Sequence, residues 1–289
     1  MKRLLEIFFV LSLFIPPSQG VQWPKETDEF GVPGTDPSLR TYAAHVIKQY
    51  PLSRVEDDET PTLNGMGTTM KKVGPFPAEF LGFAQKCGLP VLSVGEGTGN
   101  IAEAALARNI TFIANDMDPR HLAHLYASVP PEKLQYLFLK AGKFPDDVSL
   151  PEGGLGAIYF GRVLHFQTGE EIEKSLQASY KWLHDGGKVF ARASTPFQKH
   201  LQFFMPTYLE RVKNGNPWPG ICRDMEQGWP TLHQYLPSFM NLLDVDVLGR
   251  TLRKTHFEIE ELRYTPINHP EFKLDGREGI GFVVRKTES

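Results

Sequence analysis

Glycine stands at alternate positions, Gly95, Gly97 and Gly99, directly after the strand-forming run Val91-Leu-Ser-Val94 and directly before a helical stretch, Asn100 to Ala107. Without a Cβ, the loop backbone can approach a ligand closely and take positive φ. The helix start beyond it offers unpaired N–H groups and the positive end of a dipole. Glycines also make plain turns, so a second signal is needed. It is Asp116, which ends the apolar run Thr111-Phe-Ile-Ala-Asn115. An acid at the tip of the second strand, roughly twenty residues past the glycines, reaches the hydroxyls of a bound ribose. The chemistry these residues point to is the holding of a nucleoside-bearing cofactor.

With these residues, the chain resembles the class I S-adenosylmethionine-dependent methyltransferases. Val91 to Gly99 reads like their first motif, Asp116 matches their second-strand acid, and Leu183-His-Asp-Gly-Gly-Lys-Val-Phe190 looks like the entry to their fifth strand. The match spans about Gly82 to Pro196, with a weaker echo near the C-terminus. A dinucleotide fingerprint would place its third glycine where Asn100 stands, which disfavours a dehydrogenase.

The resemblance implies an α/β, Rossmann-like methyltransferase sandwich, with a mainly parallel seven-stranded sheet and a C-terminal antiparallel hairpin (Phe257 to Tyr264 with Gly279 to Arg285). It implies S-adenosyl-L-methionine as cofactor, cradled by Gly95, Glu96, Gly97 and Gly99. Asp116 would take the ribose and Met117 the adenine face. Gly142, Lys143 and Phe160, at the exits of the third and fourth strands, complete the expected cofactor set. No metal site is expected. Two positions depart from the family's pattern. Ser93 replaces the acid two residues before the first glycine, so the methionine amino group must be held by water or another group. Lys143 replaces the acid that bonds the adenine amino group, and a charged lysine cannot accept a hydrogen bond. Backbone groups, or Asp146 or Asp147 reaching back, would then recognise the adenine. The same two departures raise a degenerate fold that binds a partner without catalysis.

No Asp/Asn-Pro-Pro-Tyr/Phe follows the fourth strand, which argues against methylation of nucleobase or glutamine amino groups. Gly161-Arg-Val-Leu-His-Phe166 stands there instead. Leu164-His165 resembles the Leu-His of the family's small-molecule members, which makes His165 the catalytic candidate, since imidazole titrates near neutrality. A structural histidine is the competing reading. Arg162 is read as pairing with a surface carboxylate, an acidic substrate being the other option. The acceptor is expected to be a small molecule, with a protein substrate as alternative.

Positioning these residues requires strands and helices in alternation, as a parallel sheet with crossovers demands. A helix is expected over Pro77 to Cys87. Asp118-Pro119 is a helix start, and Thr168-Gly-Glu-Glu171 a capping box. That second helix should stop at Gly186-Gly187, before a strand from Lys188 to Ala193. Residues 77–193 form the expected core and 243–289 its C-terminal part, with a helix over Leu243 to Lys254. Residues 21–76 read as an extension lying over the core, with a helical patch Leu39 to Tyr50, a solvated acidic turn Glu56 to Pro61 and a flexible loop Gly65 to Met70; the resemblance implies that this loop closes over the methionine end of the cofactor, a plain flexible linker being the alternative. Residues 194–242 read as a lid insertion dense in aromatics: Phe197, Phe203, Phe204, Tyr208, Trp218, Trp229, Tyr235 and Phe239. Helical patches are expected at Leu201 to Val212 and Thr231 to Leu243. Beside the carboxyl ends of the strands, such a cover suits an apolar or aromatic acceptor; a small structural cap filling its own core, or a peptide-binding groove, is the alternative.

A net charge of −3 gives no basic footprint for nucleic acid. Lys71-Lys72 is read as solvated. Two cysteines, Cys87 and Cys222, make neither a metal set nor a disulfide framework. Residues 1–20 pair a basic start with the apolar run Leu4 to Ile15 and a small-residue end, which fits a secretory signal and is too short to span a bilayer. The expected location is therefore secreted or exported, with no membrane span after signal removal; the cytosol is the alternative. Export would require cofactor at the destination, because adenosylmethionine is made in the cytosol.

Overall fold

Apolar runs that are buried along nearly their whole length build the centre of the sheet, as strands covered on both faces must be. The computed structural model describes residues 21–52, 59–70, 75–228 and 237–287. Strand β1 (Val32–Pro33) and helix α1 (Pro37–Gln49) come first, followed by the hairpin of β2 (Glu59–Pro61) and β3 (Thr68–Met70) and by helix α2 (Pro75–Cys87). The alternating core runs β4 (Val91–Val94), α3 (Asn100–Ala107), β5 (Phe112–Asp116), α4 (Pro119–Ser128), β6 (Leu137–Ala141), β7 (Leu155–Gly161), α5 (Gly169–Trp182) and β8 (Leu183–Ser194). A module of α6 (Met205–Lys213), β9 (Ile221–Cys222), α7 (Met225–Gly228) and β10 (Met240–Asn241) precedes α8 (Val245–Arg253), β11 (Phe257–Thr265) and β12 (Gly279–Lys286).

The sheet has eight strands in the order β1-β6-β5-β4-β7-β8-β12-β11. Strands β6, β5, β4, β7 and β8 pair in parallel, while β12, β11 and β1 add antiparallel. The chain lays β5 and β6 on one side of β4 and then crosses to β7 on the other, which opens a crevice at the carboxyl ends of β4 and its neighbours. Helices α2, α3 and α4 cover one face, through Phe80, Leu106 and Leu122 among others. Helices α5 and α8 cover the other, through Leu176 and Leu248.

The seven-strand expectation is corrected by β1, which pairs Val32 with Leu139 and Pro33 with Phe138. Proline is tolerated at this outermost position because no further strand needs its missing N–H. The acidic turn is also revised: Glu59–Pro61 is a strand paired with Thr68–Met70, while 53–58 lie outside the described residues. Asp118 caps α4 and the Thr168–Glu171 box caps α5, as expected. Helix α5, however, ends at Trp182, where the Leu183 N–H bonds the Ser179 carbonyl. Gly186 and Gly187 lie inside β8, beside a register shift between Leu155 and Ala157. Of the expected helix Thr231 to Leu243, residues 231–236 lie outside the described residues, and Met240–Asn241 is a strand paired with Ile221–Cys222. Lys71, Lys72, Trp229, Tyr235 and the expected signal at 1–20 also lie outside the described residues. Among the described residues, no helix is long and apolar enough to cross a membrane.

Candidate functional site

The loop after β4 folds back on its own helix. Gly95 has φ +66°, and a Cβ there would stand 2.4 Å from Val163 Cγ2; Gly99 has φ +104° and would meet Leu125 Cδ1 at 2.3 Å. Both conformation and space therefore require glycine at these positions. Gly99 cannot cap α3 with a side chain, and Glu96 does so instead: its Oε1 accepts from Ile101 N (3.0 Å) and Ala102 N (2.8 Å). The Ser93 hydroxyl acts on the same carboxyl in the direction that lowers its pKa. Glu96 thus serves the start of α3 from the base of the loop.

Burial pushes the Glu96 carboxyl up to about 7, against Ser93 and the bonds from the α3 backbone. The unfolded value is 4.5, so the folded chain holds this proton more tightly. The stability involved is fully present below pH 4.5 and is lost as pH rises through about 7. Glu96→Gln keeps an acceptor oxygen and removes the titration. The variant should melt above the wild type at pH 8, by the equivalent of about 2–3 kcal/mol, and the gap should close below pH 4.5. A constant gap across that range would contradict the assignment.

Asp116 is 5% exposed and fixes three elements at once. Its Oδ2 accepts from Gly97 N (2.9 Å), while Oδ1 accepts from Asp118 N (2.9 Å) and faces His121 Nδ1 at 3.1 Å. His121 Nε2 accepts from Leu63 N (2.8 Å), so its proton sits on Nδ1 and is donated to Asp116. Burial opposes the charged imidazole, but Asp116 and Asp118 outweigh it and raise the His121 pKa. The glycine loop, the start of α4 and the turn between β2 and β3 therefore share one buried carboxylate. Arg120 adds a bond to the Leu63 carbonyl (3.2 Å). Thr62, Asn64, Met66, Gly67 and Thr68 of that turn line the same cavity as Gly97.

At the exit of β6, Gly142 N bonds the Asp116 carbonyl (3.0 Å), and Asn115 Nδ2 bonds the Gly142 carbonyl (2.9 Å). The Lys143 ammonium pairs with Glu171, and Asp147 accepts from the Lys143 backbone N–H (3.1 Å). Asp147 thus reaches back to the backbone of Lys143. Met117 is 42% exposed and lines the cavity. Phe160 does not fit its expected role. It is fully buried, packs edge-on against Phe144 at 5.3 Å and does not line the cavity, because its place on β7 directs it into the core under α5.

The cavity measures ≈ 350 Å³ and runs from the glycine loop, past Tyr159, Arg162 and Arg192, to Leu201, Met225 and Met240 of the 194–242 module. The module has its own core of Phe197, Phe204, Tyr208, Cys222 and Leu242, so most of its described aromatics pack on each other. Its aliphatic and thioether side chains, with Phe272, form the apolar end of the cavity.

His165 lines the cavity, yet the structure revises its role as base. Its Nδ1 accepts from Ser194 N (3.2 Å), and burial, with Arg162 adding to it, lowers its pKa to about 3. A neutral imidazole so held carries its proton on Nε2 and offers a donor. His121 and Arg192 were not singled out from sequence. A signal existed for Arg192, a lone charge in the apolar run Val189-Phe-Ala-Arg-Ala193. Among the described residues no cluster could hold a metal ion.

No family model matches the sequence, and no curated protein matches it either. Solved structures do resemble it. An S-adenosylmethionine-dependent methyltransferase from Methanosarcina mazei is similar at 15% identity, over 75% of this chain and 100% of that one, with a TM-score of 0.56. Another from Mesorhizobium loti shares 16% identity over 74% of this chain and 99% of its own, with a TM-score of 0.53. Phosphoethanolamine N-methyltransferase 2 of Haemonchus contortus, solved with S-adenosyl-L-methionine, shares 13% identity over 73% of this chain and 53% of its own, with a TM-score of 0.51. The chain has the fold of the class I S-adenosylmethionine-dependent methyltransferases.

Proposed function

We propose that the protein transfers a methyl group from S-adenosyl-L-methionine to a small acceptor enclosed between the glycine loop and the 194–242 module. The observation that carries this reading is Asp116, bonded to Gly97 at the carboxyl edge of the parallel sheet in a cavity that continues under the module. The donor set suits the cofactor: a carboxylate for ribose hydroxyls, a glycine loop that a Cβ would obstruct, and the exposed Met117 for a ring face.

The bound sulfonium supplies an already activated methyl group. The chain's own residues then have to bind, align and exclude water, and proximity carries much of the rate. Asp116 holds the nucleoside, the turn at residues 62–68 and the module close the site, and His165 donates from Nε2 to orient the acceptor. The reading of 1–20 as an export signal belongs to the same proposal and rests on the sequence pattern alone.

Incubation of the protein with methyl-labelled S-adenosylmethionine and a cell extract tests the acceptor class. Label should appear in the small-molecule fraction. Label confined to precipitated protein would shift the acceptor to a polypeptide, and none in either fraction would reduce the site to binding.

A further inference from the structure

Each of the cavity's carboxylates already has a partner within the protein. Asp116 serves Gly97, Asp118 and His121; Glu96 caps α3; Glu171 takes the Lys143 ammonium. Arg192 lines the same cavity, and its guanidinium has no carboxylate partner among the described residues. It sits at the carboxyl end of β8, beside Gly161 of β7. Arg162 follows immediately, held at φ +67° with its N–H bonded to the Arg192 carbonyl at 3.0 Å. A non-glycine residue in that conformation is strained and persists only where the surroundings impose it. Tyr159, Arg162 and Arg192 line the same cavity from the adjacent strands β7 and β8. A cation in a partly dry wall with no counter-charge is costly until an anion arrives.

We infer that the acceptor carries an anionic group, a carboxylate or phosphate, seated on Arg192 beside Arg162, with its apolar body toward Leu201, Met240 and Phe272. This rests on the proposed function for the identity of the second ligand. The methionine carboxylate of the cofactor is the competing occupant, and distance argues against it. Strands β4 and β8 are separated by β7, which puts Arg192 two strand spacings, about 10 Å, from the glycine-loop strand.

Calorimetry of the full chain, with and without S-adenosylhomocysteine, decides this using phenylacetate, phenyl phosphate and the neutral phenylacetamide. At least one of the two anions should bind about tenfold or more tighter than the amide, as a bidentate arginine contact provides. Arg192→Gln should erase that preference and leave S-adenosylhomocysteine affinity unchanged. Preference for phenylacetate assigns a carboxylate, and preference for phenyl phosphate a phosphate. Equal binding of anions and amide, no binding of either anion, or a preference that survives Arg192→Gln overturns the inference. So does loss of S-adenosylhomocysteine in that variant, which would give the guanidinium to the cofactor. If the wild type fails to bind S-adenosylhomocysteine, the cofactor reading fails, while the cofactor-free titrations still decide the anion site.

Discussion

Asp116→Ala should lower S-adenosylhomocysteine affinity by about a hundredfold or more, read by calorimetry on the full chain. The carboxylate accepts from two backbone N–H groups, Gly97 and Asp118, and from His121. Each buried donor left unpaired costs about 1–3 kcal/mol, so the glycine loop and the start of α4 lose their fixed relation before any ligand contact is counted. His121 would then hold Leu63 without an anchor, and the turn at 62–68 would loosen. The ribose contact is lost in addition. Asp116→Asn keeps one acceptor oxygen and should fall between alanine and wild type. An alanine variant that binds as tightly as the wild type would remove Asp116 from the site.

The second large effect is on stability, at Glu278, which is fully buried. Its Oε1 accepts from Leu274 N (2.7 Å), Asp275 N (2.8 Å) and Gly276 N (2.8 Å), and its Oε2 from Ile267 N (3.0 Å). Burial alone would raise its pKa; the backbone donors, Gly276 and Leu274 foremost, overcome this and hold it down at about 2. Glu278→Ala strands four donors and should cost about 3–5 kcal/mol, a fall in Tm of roughly 10 °C for a chain of this size. The lowered pKa makes this stability present above pH 4.5 and lost as pH falls toward 2. The alanine variant should therefore show a shallower acid limb below pH 4.5. An unchanged Tm would contradict the assignment. The loop that Glu278 secures carries Phe272 to the cavity wall, so acceptor affinity should fall with it.

The glycine loop and the caps at Asp118 and Thr168 were legible because each depends on neighbours a few residues away, and Asp116 and the alternation of strands and helices because they follow a regular spacing along the chain. Strand β1 was not, since two residues carry no periodicity and one is proline. Glu96 as the cap of α3 escaped notice because Gly99 directly precedes the helix, and only the folded loop brings the carboxyl to Ile101 N and Ala102 N. His121 is 58 residues from Leu63, and Glu278 is 80 from Gln198, which donates to its carbonyl; no local pattern records such contacts. His165 was read with its ordinary titration, and burial inverts that. Phe160 followed from its position at a strand exit, where the inward or outward sense of one side chain depends on the sheet's placement between its helices.

The most direct measurement is calorimetric titration of the full chain with S-adenosylhomocysteine and, separately, with NAD. Micromolar binding of the first and none of the second is the result expected. Absence of S-adenosylhomocysteine binding, or equal binding of NAD, would contradict the account.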